Sequence, residues 1–393
     1  MPEPLSLQRT PRPEDASSFS LFDLGFRCFF FGATLAALLL MPAWLFVLQG
    51  GATTPYFSSV AWHAHEMIFG YTGAVIAGFL LTAVGNWTKS VVASPRALLL
   101  LSLLWLSGRL CPLVPGLPPI VVFACDLAFL PVLTLVLGRP LGASKNQRNY
   151  FLVLLLLVLE FANLLYHLEV WGAPVSSGAG RDLALRMVAL LILVIGGRVF
   201  PMFTRNATGN QRIKNVPWLD RLSIGLVLLT TAAEGFSLPR SLVGGLWMLA
   251  GVSNIVRMFT WGTLSAKAPL LWVLHLGYFF VALSFVLEGC FQYGLVPQAT
   301  ALHCFTAGGV GLLTLGMMAR VSLGHSGRML VAPNSVAWAF VLLTAAALVR
   351  FLTPLLAPAF LSLSWTVSGI LWTLAYLLFL LFGWPIWSKP RVD

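Results

Sequence analysis

Apolar stretches of about 20 residues recur along the whole chain, and no other feature limits its fold as strongly. A bilayer core demands helices of that length, and inside hydrocarbon only helices or closed barrels satisfy every backbone polar group. The stretches read as 26–49, 62–86, 97–113, 119–138, 149–171, 182–204, 217–236, 241–264, 269–293, 299–323, 333–353 and 360–383. With 58% hydrophobic and 9% charged residues, a soluble domain of 393 residues is excluded. The expectation is an all-α integral membrane protein with twelve transmembrane helices. A short arm covers 1–22, a single membrane domain 23–388 and a tail 389–393. The arm is rich in Pro and charge and lacks a signal peptide's apolar core, so it reads as a disordered cytoplasmic segment.

The net charge of +11 is spread among short loops rather than gathered on one face, which argues against nucleic acid as a partner. Topology explains it better. With the amino terminus inside, nineteen of the 24 Lys and Arg fall on the inner side, and only Arg109, Arg181, Arg186, Arg240 and Arg350 fall outside. That asymmetry supports the count of twelve and places both termini in the cytoplasm. Cys28, Cys111, Cys125, Cys290 and Cys304 form no CxxC or CxxCH, so they indicate neither a disulfide framework nor attached haem.

Orientation gives each polar residue a depth. The second helix runs inward from Trp62-His63-Ala64-His65-Glu66-Met67-Ile68-Phe69-Gly70, placing two imidazoles and a carboxylate at the outer face. The fifth carries Glu160, Asn163 and His167 as one stripe climbing outward. The tenth places His303 in its first turns, so four of the six histidines share the outer leaflet, while His275 and His325 fall on the inner side. A step of 119 residues carries Gly78 to Gly197 and Gly316, and a double step carries His65 to His303. The second, sixth and tenth helices therefore hold equivalent places in an expected threefold pseudo-repeat of four-helix units.

Ionisable groups inside a membrane are functional by default, and histidine is the usual protein ligand for haem iron and copper. Bis-histidine ligation of a haem needs two imidazoles at one depth with small neighbours, which His65 and His303 satisfy alongside Gly70, Gly73, Gly308 and Gly309. His63 points about 160° away from His65, so only one of them faces a given haem. A second metal would use His63 with Glu66, or His63 with His167, and the spacing does not select copper over zinc. Glu160 is either a protonated carboxyl hydrogen-bonded to a neighbour such as Asn163 or, with His167, part of a proton path to that site, which Asp126, Glu234 and Glu288 extend or merely support. On the inner side, Arg198 and Arg320 sit where haem propionates, lipid headgroups or another anion would bind. His275, with Tyr278 one turn on, either pairs locally or joins His325 in a second site.

Three long motifs carry a family resemblance: the 62–70 segment, Gly-Gly-Arg-Val-Phe-Pro-Met-Phe-Thr at 196–204, and Arg-Val-Ser-Leu-Gly-His-Ser-Gly-Arg at 320–328. Together they resemble the NnrS family over essentially the whole chain. The resemblance implies a polytopic inner-membrane protein containing haem and copper and linked to nitric oxide metabolism and nitrosative-stress resistance. It does not fix a reaction, and a nitric oxide reductase or other oxidoreductase stays open, as do the product and the electron donor. The chain is more loosely similar to haem-copper oxidases and nitric oxide reductases. It departs from them in having no histidine on the sixth or seventh helix and one rather than two within the tenth. A secondary transporter or a haem-holding sensor or assembly protein are the rival readings.

Overall fold

The computed structural model describes residues 19–52 and 54–392. Most of the expected arm, with Arg9 and Arg12, and the last tail residue Asp393 lie outside the described residues. Among those described there are twelve long helical rods and no strand: α1 Gly25–Leu48, α2 Ser59–Thr88, α3 Pro95–Leu113, α4 Pro119–Ala143, α5 Gln147–Val170, α6 Ala179–Thr208, α7 Pro217–Gly235, α8 Arg240–Phe259, α9 Pro269–Gln292, α10 Gln298–Gly324, α11 Asn334–Leu356 and α12 Pro358–Trp387. Local chemistry sets their ends. Proline occupies the first turn of α3, α4, α7 and α9, where its missing N–H costs nothing, and the Ser94 side chain caps α3 by accepting from the Ala97 amide at 3.3 Å. Gly209, at φ 69°, stops α6 in a left-handed turn that a Cβ would strain.

Eleven rods are long and apolar enough to cross a membrane. The remaining rod, α7, carries Asp220, Arg221 and Glu234 within its 19 residues. Two of these charges are neutralised by neighbouring rods: Arg257 Nε of α8 donates to Asp220 Oδ1 at 2.6 Å, and Arg186 Nη2 of α6 donates to Glu234 Oε1 at 3.1 Å.

Polarity is turned inside out relative to a soluble protein. Outward faces expose leucine, valine and phenylalanine, such as Leu100, Leu135, Leu154, Phe161, Leu229, Val252 and Leu381, while His65, Asp126, Asn163, His167, Asn254 and Arg257 are fully or almost fully buried. This is the arrangement hydrocarbon favours, with polar groups facing the bundle interior. The most buried rod is α2, with 83% of its apolar window inside; α6, α9 and α10 follow at 67%, against 17% for α1. The three rods related by the 119-residue step are thus all interior. The first and last rods pack together, and Ser20 N donates to Ser388 O at 3.0 Å, so the two ends of the described chain meet on one face.

Two interior rods share a deviation that sequence periodicity does not show. A π-helical turn interrupts α2 at Glu66–Thr72 and another interrupts α10 at Cys304–Val310. Their starts are separated by 304 − 66 = 238 residues, twice the 119-residue step. The corresponding part of α6 is plain α-helix. A π turn inserts an extra residue and re-aims everything upstream of it, which here means the histidines.

Candidate metal centre

His63 and His65 stand immediately before the π turn of α2 and point to opposite sides of the rod. His65 is fully buried toward α4 and α5. Its Nε2 lies 3.1 Å from Asp126 Oδ2 and 2.9 Å from Asn163 Oδ1. His167 Nε2 reaches the same Asp126 oxygen at 3.0 Å, and Asn163 Nδ2 donates to it at 2.9 Å. One ligand atom each from His65, Asp126 and His167 falls within a 4.8 Å sphere of mutual distances.

The outer ring nitrogens are held as metal ligands usually are, with the second nitrogen bonded to a carboxylate or hydroxyl. His65 Nδ1 is 3.2 Å from Glu66 Oε1, and His167 Nδ1 is 2.7 Å from Tyr56 Oη. Arg109 of α3 donates to Glu66 Oε1 at 3.1 Å and to Asp126 Oδ1, bridging the two carboxylates. Room for this ion cluster comes from two glycines. A Cβ on Gly108 would meet Asp126 Oδ1 at 2.8 Å and its Cα at 3.0 Å, and one on Gly70 would meet Glu66 Oε2 at 2.9 Å and Arg109 at 3.2 Å. Tyr56 lies in the connection before α2, where burial pushes its phenol up to about 12. It therefore stays protonated and can donate to His167 or accept from it.

The donor chemistry fits a metal ion. His65 presents three contacts, all to acceptor oxygens, and a neutral imidazole has a single N–H to offer. A metal ion at Nε2, or a further proton shared within the cluster, would complete the arrangement. Two carboxylates against one guanidinium leave one formal negative charge in the cluster, which favours a cation further. Two imidazole nitrogens and one carboxylate oxygen suit copper or zinc.

His63 faces the other way, into a cavity of about 1030 Å³ including its mouth, enclosed by α1, α2, α6, α10, α11 and α12. His303 lines the same cavity. The His63 ring stacks on Trp44 with centroids 4.4 Å apart and 11° between planes. His303 donates from Nδ1 to the Ala299 carbonyl at 2.9 Å, which leaves Nε2 free to ligate. Apolar walls from Met67, Ile68, Val310 and Trp372, with small Ala64, Ala307 and Gly369, suit a flat hydrophobic group.

This geometry corrects the pairing expected from sequence. His303 shares its cavity with His63, and His65 joins His167. Equal repeat positions placed His65 and His303 at one depth, but repeat-related side chains face their own neighbours rather than each other. His63 consequently has neither Glu66 nor His167 as a partner. Asn163 and His167 of the α5 stripe both enter the cluster, whereas Glu160 does not: its Oε2 is buried without a hydrogen-bond partner and no bond joins it to Asn163.

The expected inner sites are also arranged differently. His275 is fixed by two threonines, with Nε2 2.8 Å from Thr204 Oγ1 and Nδ1 3.0 Å from Thr263 Oγ1. Tyr278 turns instead to Arg257 and Asn254, at 2.9 and 2.6 Å. His325 packs on Phe26, at 6.1 Å between centroids. Arg198 donates to Asn149 at 2.7 Å and lies over Phe151, and Arg320 lies over Phe203 at 3.8 Å. Neither lines the cavity of His63 and His303, whose cations are Arg181 and Arg350. From the sequence, Asp126 is only an optional extension of the proton path and Arg109, Arg181 and Arg350 are only outer-side charges; the sign that marks Asp126 and Arg109 is their position inside otherwise apolar segments. Tyr56 had no such sign.

No curated protein matches the chain. The model of one family, described as NnrS protein, matches residues 20–391, which takes in every residue of both histidine sites. The chain belongs to the NnrS family.

Proposed function

We propose that this protein holds a haem and a copper ion on opposite sides of α2, in the outer half of a bacterial inner membrane, and uses them to bind and convert nitric oxide. One observation carries the reading: a single helix start presents His63 to an apolar cavity shared with His303, and His65 to a buried cluster shared with Asp126 and His167. His63 and His303 are the residues that would hold the haem, and His65, His167 and Asp126 those that would hold the copper ion. A bound haem would supply electron exchange with a small uncharged gas entering the cavity. The chain's own groups position the two centres, keep bulk water out of the cavity and provide protonable positions.

Several features support this arrangement. A gas soluble in hydrocarbon reaches an apolar cavity directly from the bilayer. Protons need water, and a second, open cavity, lined by Glu234, Glu288 and Gln292, shares Arg181, Leu185 and Leu302 with the first. The twelve rods, with Asp220 and Glu234 of α7 paired to neighbouring rods, are read as twelve spans. The positive-inside pattern supports a cytoplasmic position for both termini, and the π turns relate α2 to α10, two of the three rods in the expected pseudo-repeat.

The test is metal and haem analysis of protein purified in detergent from haem- and copper-replete cells, with absorption spectra before and after nitric oxide. About one haem and one copper per chain are expected, with a Soret band that shifts on adding the gas. His63→Ala and His303→Ala should lose haem and keep copper, while His65→Ala and His167→Ala should do the reverse. Protein that contains neither cofactor yet moves a solute into vesicles would replace this reading with a transporter.

A further inference from the structure

The cavity of His63 and His303 is lined by two arginines and two histidines and by no Asp or Glu. Arg181 has a carboxylate of its own, donating to Asp182 at 2.8 Å. Arg350 of α11 has none: it belongs to none of the ion pairs among the described residues, and its Nη1 is buried without a hydrogen-bond partner. A second donor in the same wall is stranded in the same way, because Trp365 Nε1 of α12 is buried and unpartnered. Arg350 is half-buried near the outer end of α11, and a guanidinium nitrogen shut off there from both water and an acceptor is costly. Two such donors facing one cavity, in a wall with no acidic residue, form half of a binding site.

We propose that Arg350 and Trp365 form an oxyanion-binding subsite, which receives a carboxylate of the group held between His63 and His303 or a small free oxyanion entering the same cavity. A carboxylate offers two acceptor oxygens, one for the planar guanidinium edge and one for the indole N–H. It neutralises the only cavity cation without a carboxylate partner. The inference rests on the proposed haem site for the first source of the anion and is independent of it for the second. Arg198 and Arg320, by contrast, are cradled by Phe151 and Phe203 and do not reach the cavity.

The experiment compares binding of haem and of haem dimethyl ester to the purified, haem-depleted chain, followed by the Soret band, and measures nitrite binding to the same protein by calorimetry. Wild-type protein is expected to prefer haem over its ester by about tenfold or more, the range of a charged hydrogen bond. Arg350→Gln should erase the preference, Arg350→Lys restore part of it, and Trp365→Phe reduce it while keeping the ring. Equal affinity for haem and ester, with nitrite binding that Arg350→Gln abolishes, would assign the subsite to a free oxyanion. Failure to bind haem, with Arg350-dependent nitrite binding, would remove the haem reading and leave the subsite standing. Haem bound equally with and without its carboxylates, together with no Arg350-dependent nitrite binding, would overturn the inference. The ester comparison uses unmodified protein, so a variant that fails to fold does not spoil it.

Discussion

At the scale of single residues, the two histidines of the α2 motif differ less in chemistry than in what supports them. His65 is gripped on both ring nitrogens, and Glu66, its neighbour in sequence, is its outer partner at 3.2 Å. Glu66 also accepts from Arg109 at 3.1 Å, so it fixes the imidazole and the guanidinium together. Replacing Glu66 with Gln keeps the shape and removes the charge. The expected result is metal affinity lower by about 10- to 100-fold, as for other partners that orient a ligating histidine, with haem content unchanged. Competition with a chromophoric chelator would measure it. An unchanged affinity would mean that Glu66 serves only Arg109. The motif stood out in the sequence because two imidazoles and a carboxylate are costly together at a membrane edge. Which imidazole meets which partner was not legible, because 160° of helical rotation distinguishes faces without saying what lies opposite each face.

At the scale of elements, the cluster is assembled by the approach of α2, α3, α4 and α5, and α3 is the thin point. Gly108 lets α4 come close enough for Asp126 to reach both histidines, since a Cβ there would stand 3.0 Å from the Asp126 Cα. That contact is to backbone and cannot be relieved by turning a flexible side chain. Gly108→Ala should destabilise the protein by about 1–3 kcal/mol, the usual range for overpacking, and lower bound copper more than bound haem. Thermal unfolding in detergent with metal analysis of the same samples would check both. Equal loss of copper and haem would indicate general unfolding rather than a displaced Asp126. The helices themselves were legible to within a few residues, because length and apolarity decide them. The π turns were not, since seven residues such as Glu66–Thr72 keep a helical pattern whether or not one extra residue is accommodated. They matter because each lies just inside a histidine, at His65 and at His303.

At the scale of the whole molecule, everything polar depends on how many rods cross and in which direction. If α7 did not cross, every later helix would reverse, and His303 would leave the leaflet that holds His63. Their sharing one cavity therefore argues for α7 as a span. Its charges agree: Asp220 is bound by Arg257 at one end and Glu234 by Arg186 and Trp247 at the other, so the bundle rather than lipid receives them. On the proposed topology, the connection from Gly209 to Val216, which contains Arg212 and Lys214, would lie on the cytoplasmic side and the connection from Phe236 to Pro239 outside. Single cysteines placed at Asn210 and at Ser237 in a background lacking the five native cysteines would test this with a membrane-impermeant thiol reagent on intact cells. Labelling at position 237 and protection at 210 is the expected result. Both positions reacting alike would mean that α7 lies along the surface, and with it the common depth of the two histidine sites would be lost.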